Sequence, residues 1–193
     1  MSQCHKRYLI FCEGLTEYIY AKALQDQLSR DKARSISVEY NRDLDNTPAT
    51  MVKKALRMMK EARQDKVSYD RVFLIFDHDN RHELEKVFRV MNEKKIDFIF
   101  SSISIEFWFL LHYEDNGRSF ISVAELITYL KRRWPEYHKT KMKHYQLLKD
   151  NLTVARARAL RIRRNYEPEL PLHLANPWTN MDQLIDFFDE LDR

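Results

Sequence analysis

Acidic residues follow two apolar stretches of the kind that form buried strands. Glu13 comes directly after residues 7–12 (RYLIFC), and Asp77 and Asp79 come at the end of residues 71–76 (RVFLIF). Ligand sites in open α/β sheets lie beyond the carboxyl ends of the strands, so we expect these three carboxylates to lie close together. Close carboxylates repel one another unless a cation lies between them, and oxygen ligands favour Mg²⁺ or Mn²⁺ over zinc. The pattern therefore predicts a site for a hard divalent metal ion.

Each of these acids also has a structural interpretation. Asp77 and Asp79 could cap the following helix, since Asp accepts hydrogen bonds from helix N-termini. Glu13 could be an exposed turn residue, although Gly14 beside it favours a sharp turn that would bring the carboxylate and the helix N-terminus together. Glu17 lies one helical turn further on and could reach the metal through a water molecule, or could simply favour the first turn of its own helix.

A further acid, Glu106, lies in an apolar and aromatic segment, residues 103–111 (ISIEFWFLL). A charge there is costly to bury unless it is paired or bound to metal, so Glu106 is a functional candidate, unless it faces outward at the start of a helix. His112 could orient a carboxylate or bind phosphate, or it could be a packed core histidine. His78 lies on the opposite face of its strand from the two aspartates, so we do not expect it to be a ligand.

The patterns around these residues predict alternating strands and helices. Four short runs rich in β-formers are separated by helical patterns, at residues 7–12, 36–40, 71–76 and 96–100. Right-handed crossovers between such strands lead to a parallel sheet with helices on both faces. We therefore predict an α/β core over residues 1–116 and a helical, basic extension over residues 117–193 that packs on it.

Charge is segregated along the chain. Residues 119–168 contain 12 Lys and Arg against 4 Asp and Glu, a net charge of +8, whereas the whole chain carries +4, so the remainder carries −4. An acidic part that could hold a metal and a basic part that could hold phosphates suit a nuclease, although the basic part could be a solvated surface. The predicted nucleic-acid contacts are basic residues of this part, Lys141, Lys143, Arg158, Arg161 and Arg164. The three arginines lie opposite the apolar stripe of a helix predicted over residues 145–166, so we expect them to face solvent or a ligand.

Cysteine content and hydropathy exclude other classes of protein. Cys4 and Cys12 fall in or beside one predicted strand, where their side chains could hardly meet, so we expect no disulfide framework. No apolar run approaches the length of a membrane span. We expect a cytoplasmic protein with no membrane partner.

Five short motifs occur in order along the chain. The segments are residues 11–17 (FCEGLTE), 76–79 (FDHD), 104–112 (SIEFWFLLH), 137–139 (YHK) and 176–179 (NPWT). They resemble the CEG-x-TE, FD-x-D, FELWLLLH, Y-x-K and N-P-x-T elements of the RloB-like family. The resemblance extends over nearly the whole chain, and it departs from the family at Ser104-Ile105, where N-P-x-F usually precedes the glutamate.

The resemblance implies a Toprim-type α/β core, related to Rossmann-like folds, in a protein associated with bacterial anti-phage defence. It implies Mg²⁺-dependent breakage of phosphodiester bonds in RNA or DNA, with a transfer RNA as one target and an activating defence partner as one trigger. Glu13 would be a metal ligand or general acid-base group, Asp77 and Asp79 metal ligands, and Lys139 a positive charge for the phosphate. Two alternatives stay open, a phosphatase in which Asp77 is the nucleophile and a non-catalytic metal-binding or nucleic-acid-binding module.

Overall fold

The computed structural model describes residues 5–41, 47–78, 81–167 and 169–193. Its centre is one four-stranded, wholly parallel sheet in the order β2-β1-β3-β4. The strands are β1 (Lys6–Cys12), β2 (Ile36–Asn41), β3 (Arg71–Asp77) and β4 (Asp97–Ser101). The predicted α/β architecture, a parallel sheet flanked by helices, is confirmed.

Helices connect the strands and continue beyond the last one. They are α1 (Leu15–Gln25), α2 (Arg30–Ser35), α3 (Pro48–Gln64), α4 (Arg81–Lys94), α5 (Glu106–Tyr113), α6 (Val123–Leu130), α7 (His144–Leu148), α8 (Leu152–Arg164) and α9 (Met181–Asp192), with short 3₁₀ turns at Lys149–Asn151 and Leu172–Leu174. In the described parts of the chain, none of the helices is long and apolar enough to cross a membrane.

The strands are almost continuously apolar because helices cover both faces of the sheet. In β1, Tyr8 and Ile10 face one hydrophobic cluster, which also contains side chains of α1, α5, α8 and α9. Leu9 and Phe11 face the opposite cluster, which contains side chains of α3 and α4. The alternation of side chains along the strand therefore sets which helices lie on each face.

Two predicted helices of the basic part end earlier or are broken. The helix predicted over residues 145–166 consists of α7, a 3₁₀ turn and α8. The break falls at Lys149–Asn151, where Asp150 and Asn151 are residue types of low helix propensity. The sequence pattern also predicts a helix from Val123 to Arg133. It ends instead at Leu130, shortly before Pro135, which disfavours helical backbone in the residue before it.

The C-terminal helix α9 packs onto the sheet. Leu184, Ile185 and Phe188 are buried, and Leu191 is half-buried against the same cluster. The segment before α9 also binds the end of β4, because the Ser102 N–H donates to the Trp178 carbonyl at 2.8 Å and the Phe100 N–H donates to Asn180 Oδ1 at 2.7 Å. The end of β4 is thus completed by residues far along the chain.

Candidate functional site

Glu13 and Asp77 meet at the carboxyl end of two neighbouring strands. Strands β1 and β3 pair in parallel, with Cys12 opposite Ile75, so the residues that follow them emerge at the same edge. The Glu13 N–H donates to the Ile75 carbonyl at 3.0 Å, and the Asp77 N–H donates to Glu13 Oε2 at 2.8 Å. Both residues are half-buried. Asp79, the third predicted metal ligand, lies outside the described residues.

Glu17 is held close to this pair by a tight turn. Its side chain is only 3% exposed, and a Cβ added at Gly14 would come within 2.5 Å of Glu17 Oε2. Burial raises the pKa of Glu17, and the charge of Glu106 raises it further, whereas the backbone amides of Glu17 and Gly14 and the charge of Lys139 lower it. Glu17 therefore both packs against the first turn of α1 and takes part in the acidic cluster.

Glu106 is fully buried, so the interpretation that it faces outward is wrong. It begins α5 immediately after a sharp loop in which Ile103 has a φ of 68°, an uncommon conformation for a β-branched residue. Ser102 in the same loop is held by Trp178, whose N–H donates to Ser102 Oγ at 2.6 Å. The loop therefore directs Glu106 at the start of α5 into the protein interior, and the bond from Trp178 stabilises the loop.

The negative charges of Glu13, Glu17 and Glu106 act on Asp77, and the charge of Glu106 also acts on Glu17. Burial raises the pKa of Asp77 well above its usual range, and the negative charges of Glu17, Glu106 and Glu13 add to that effect. The positive charge of Lys139 opposes it. This edge of the sheet therefore carries an excess of negative charge that a cation would relieve.

Two hydrogen bonds hold the segment that contains Lys139 next to the acids. Thr16 Oγ1 donates to the Lys139 carbonyl at 3.0 Å, and the Tyr137 hydroxyl donates to Glu106 Oε1 at 2.6 Å. Burial raises the pKa of Tyr137, and the Glu106 carboxylate raises it further, so the hydroxyl keeps its proton. No role for Thr16 or Tyr137 was predicted, although Thr16 lies in the CEG-x-TE motif and Tyr137 in the Y-x-K motif.

The donors at this edge fit a hard divalent cation in their chemistry. They are carboxylate oxygens, and Glu106 Oε2 is buried without a hydrogen-bond partner among the described residues. Among those same residues, no three His, Cys, Asp or Glu side chains form a group that could hold a metal ion as they stand. An ion would therefore have to draw these carboxylates together or take Asp79 as one of its ligands.

The arginines predicted to contact nucleic acid have different surroundings. Arg158 is half-buried and its Nη1 donates to the Leu111 carbonyl at 2.7 Å, so this nitrogen contacts the protein, and the contact of Arg158 with nucleic acid stays a prediction. Arg161 is exposed but forms an ion pair with Asp115. Arg164 is exposed. The periodicity of the sequence predicted which side of α8 is buried. It could not predict the partners of Arg158 and Arg161, which lie on α5 and in the loop after it.

Lys141 and Lys143, the other predicted contacts, are exposed and lie two and four residues after Lys139. Their turn is held by His138, whose Nδ1 accepts from the Thr140 and Lys141 N–H groups at 3.3 Å each. The three lysines thus lie on one short segment that is anchored beside the acids.

His112 and His78 serve packing and internal hydrogen bonds. His112 is buried edge-on against Trp108, and its Nδ1 lies 3.0 Å from the Trp108 carbonyl. Burial lowers the pKa of His112 to about 4, so its ring is neutral at physiological pH. His78 is buried and its Nε2 contacts the His173 carbonyl. For His112 this favours the packed core histidine over a phosphate contact.

Comparison with known proteins gives one match. A family model described as RloB-like protein matches residues 8–188, which is most of the chain. No curated protein and no solved structure matches it.

Proposed function

We propose that this chain, which belongs to the RloB-like protein family, is a Mg²⁺- or Mn²⁺-dependent nuclease that hydrolyses phosphodiester bonds in nucleic acid. The observation that carries the proposal is the grouping of Glu13, Glu17, Asp77 and Glu106 at the carboxyl edge of a parallel sheet, where Glu13 bonds the Asp77 N–H, Glu17 and Glu106 are buried, and Lys139 lies close by. Carboxylates kept together at the cost of repulsion are typical of sites that bind a cation for chemistry.

The residues have distinct parts in this proposal. A bound Mg²⁺ would lower the pKa of an attacking water and stabilise the leaving oxygen. Glu13, Glu17, Asp77 and Glu106 would supply the oxygen atoms that hold the ion, with Asp79 as a further ligand of the predicted set. Lys139 would offset the negative charge that develops on the phosphate.

Lys139, Lys141 and Lys143 would bind the substrate backbone next to the site. Because they follow one another on an anchored segment, a phosphodiester chain bound along them would pass the acids. RNA, with a transfer RNA as one target, and DNA both present such a backbone. A role in anti-phage defence, with an activating partner, is the biological setting that we propose.

The test is cleavage of labelled RNA and DNA pools by purified protein in Mg²⁺, in Mn²⁺ and in EDTA. Asp77→Asn should reduce cleavage by roughly 100-fold or more, because it removes a metal ligand. Asp97→Asn is the matched control, since Asp97 begins β4 at the opposite edge and pairs with Arg71 at 2.9 Å. Equal cleavage by wild type and Asp77→Asn, or cleavage in EDTA, would contradict the proposal.

A further inference from the structure

The two carboxylate oxygens of Glu106 have different surroundings, because only one of them accepts a hydrogen bond from Tyr137. Glu106 is fully buried, its Oε1 accepts from the Tyr137 hydroxyl at 2.6 Å, and its Oε2 has no hydrogen-bond partner among the residues that the structure describes. A carboxylate oxygen that is desolvated and unpaired is costly, and such groups are rare in folded proteins unless a ligand uses them.

Tyr137 is itself held rigidly. Its side chain is buried, and its ring packs against Trp134, His144 and Phe109 with centroid distances of 5.3, 5.7 and 6.1 Å. Its segment is further tied to α1 through the bond from Thr16 to the Lys139 carbonyl. The hydroxyl is therefore a fixed point from which Glu106 is oriented.

We propose that Tyr137 is a positioning residue of the metal site, whose hydroxyl holds Glu106 Oε1 so that Oε2 is the oxygen left to bind the divalent cation. This inference rests on the proposed function. Partners of metal-binding carboxylates commonly orient them in this way, and their loss typically weakens metal binding by roughly 10-fold to 100-fold. Tyr137 would act through Glu106 without touching the ion or the substrate.

The first experiment measures Mn²⁺ affinity by titration and electron paramagnetic resonance, without substrate. Tyr137→Phe keeps the ring and removes only the hydroxyl, and it should weaken Mn²⁺ binding by roughly 10-fold. Tyr20→Phe is the matched control, because Tyr20 is equally buried and its hydroxyl accepts from Trp108 Nε1 at 2.9 Å. The control should stay within about twofold of wild type, since that bond lies in the core.

A double mutant tests whether Tyr137 acts through Glu106. Glu106→Gln removes the charge that would bind the ion, so adding Tyr137→Phe to it should cause no further loss of Mn²⁺ affinity. Glu106→Asp is a second variant that leaves Tyr137 intact. It retracts the carboxylate by one methylene from the hydroxyl while keeping the charge, and it should weaken binding to a similar extent as Tyr137→Phe.

The outcomes separate the inference from the proposed function. Wild-type affinity in folded Tyr137→Phe or in Glu106→Asp would overturn the positioning role, as would an equal further loss in the Glu106→Gln background. Failure of the wild-type protein to bind Mn²⁺ at all, or binding that survives Asp77→Asn unchanged, would instead overturn the proposed metal-dependent function. Folding of each variant is checked by circular dichroism.

Discussion

At the amino-terminal ends of the strands, opposite charges are paired, whereas at the carboxyl ends like charges are brought together. Arg71 and Asp97, which begin β3 and β4, form an ion pair of 2.9 Å with side chains 41% and 42% exposed. Glu13 and Asp77 lie at the other end of the same sheet with Glu17 and Glu106. There burial raises the pKa of Asp77, and the charges of the other three acids raise it further. The ion pair at the amino-terminal ends of the strands therefore stabilises the sheet, whereas the like charges at the carboxyl ends destabilise it.

The difference is informative because the backbone contacts at the two edges are alike. At the carboxyl edge, Glu13 Oε2 accepts from the Asp77 N–H at 2.8 Å. At the amino-terminal edge, Asp70 Oδ2 accepts from the Arg7 N–H at 2.8 Å. The edges differ in the charges around these carboxylates and not in the local bonding. Proteins retain such local repulsion mainly where function requires it.

The largest expected effect compares these two carboxylates directly. Glu13→Gln should lower cleavage by roughly 100-fold or more, because the amide can still accept the Asp77 N–H but is a poor metal ligand. Asp70→Asn makes the same chemical change at the opposite edge and should leave activity within about twofold. The measurement is kcat/KM on a labelled oligonucleotide. A comparable loss in both variants would show that the two edges do not differ in function.

The next effect concerns stability in the absence of metal. Because the folded protein holds a proton on Asp77 more tightly than the unfolded chain does, the stabilisation from that proton is lost as pH rises above the ordinary Asp value of 3.8 and through the raised pKa. Asp77→Asn should therefore raise stability at neutral pH by on the order of 1 kcal/mol, or about 2–4 °C in melting temperature. It should also flatten the pH dependence. Melting curves in EDTA across pH test this, and a lower melting temperature for the variant at neutral pH would contradict it.

A smaller effect is expected from the two glycines, Gly14 and Gly117. A Cβ at Gly14 would displace the Glu17 carboxylate, whereas a Cβ at Gly117 would meet nothing within 4 Å. Gly14→Ala should therefore weaken Mn²⁺ binding by roughly 3-fold to 10-fold, because it moves one acid of the cluster. Gly117→Ala should have no effect on binding. Equal Mn²⁺ affinity in the two variants would remove Glu17 from the proposed site.

The smallest effect should come from the paired edge. Asp97→Asn breaks a half-exposed ion pair and should lower the free energy of unfolding by about 0.2–1 kcal/mol. High salt should reduce the difference between the variant and wild type, because salt screens exposed charges. Chemical denaturation at two salt concentrations measures both. A loss of several kcal/mol would show that this edge is not a simple surface pair.

The sequence predicted the parts of the site that depend on local pattern. Glu13 and Asp77 follow apolar strands, and parallel pairing of β1 with β3 brings such residues together without any further information. Glu106 was predicted as a functional residue because burying a charge in an aromatic segment costs free energy unless the charge is paired. In each case the residue's immediate neighbours carried the signal.

Other parts of the site depend on contacts between distant segments. Tyr137 reaches Glu106 across 31 positions, and Thr16 reaches Lys139 across 123. Arg158 lay on the predicted face of its helix, but its partner is a carbonyl of α5, which periodicity cannot show. The break between α7 and α8 was missed because the apolar pattern continues through it.

The bracing of β4 by Trp178 and Asn180 has a consequence for how the protein is made. A growing chain leaves the ribosome amino-terminus first, so the four acids emerge well before the residues that hold the β4–α5 loop and before Tyr137 and Lys139. A partly synthesised chain thus carries the acids without the parts that orient them. If the proposed cleavage is directed at the cell's own RNA, the order of the segments delays it until Trp178 and Asn180 have also been synthesised.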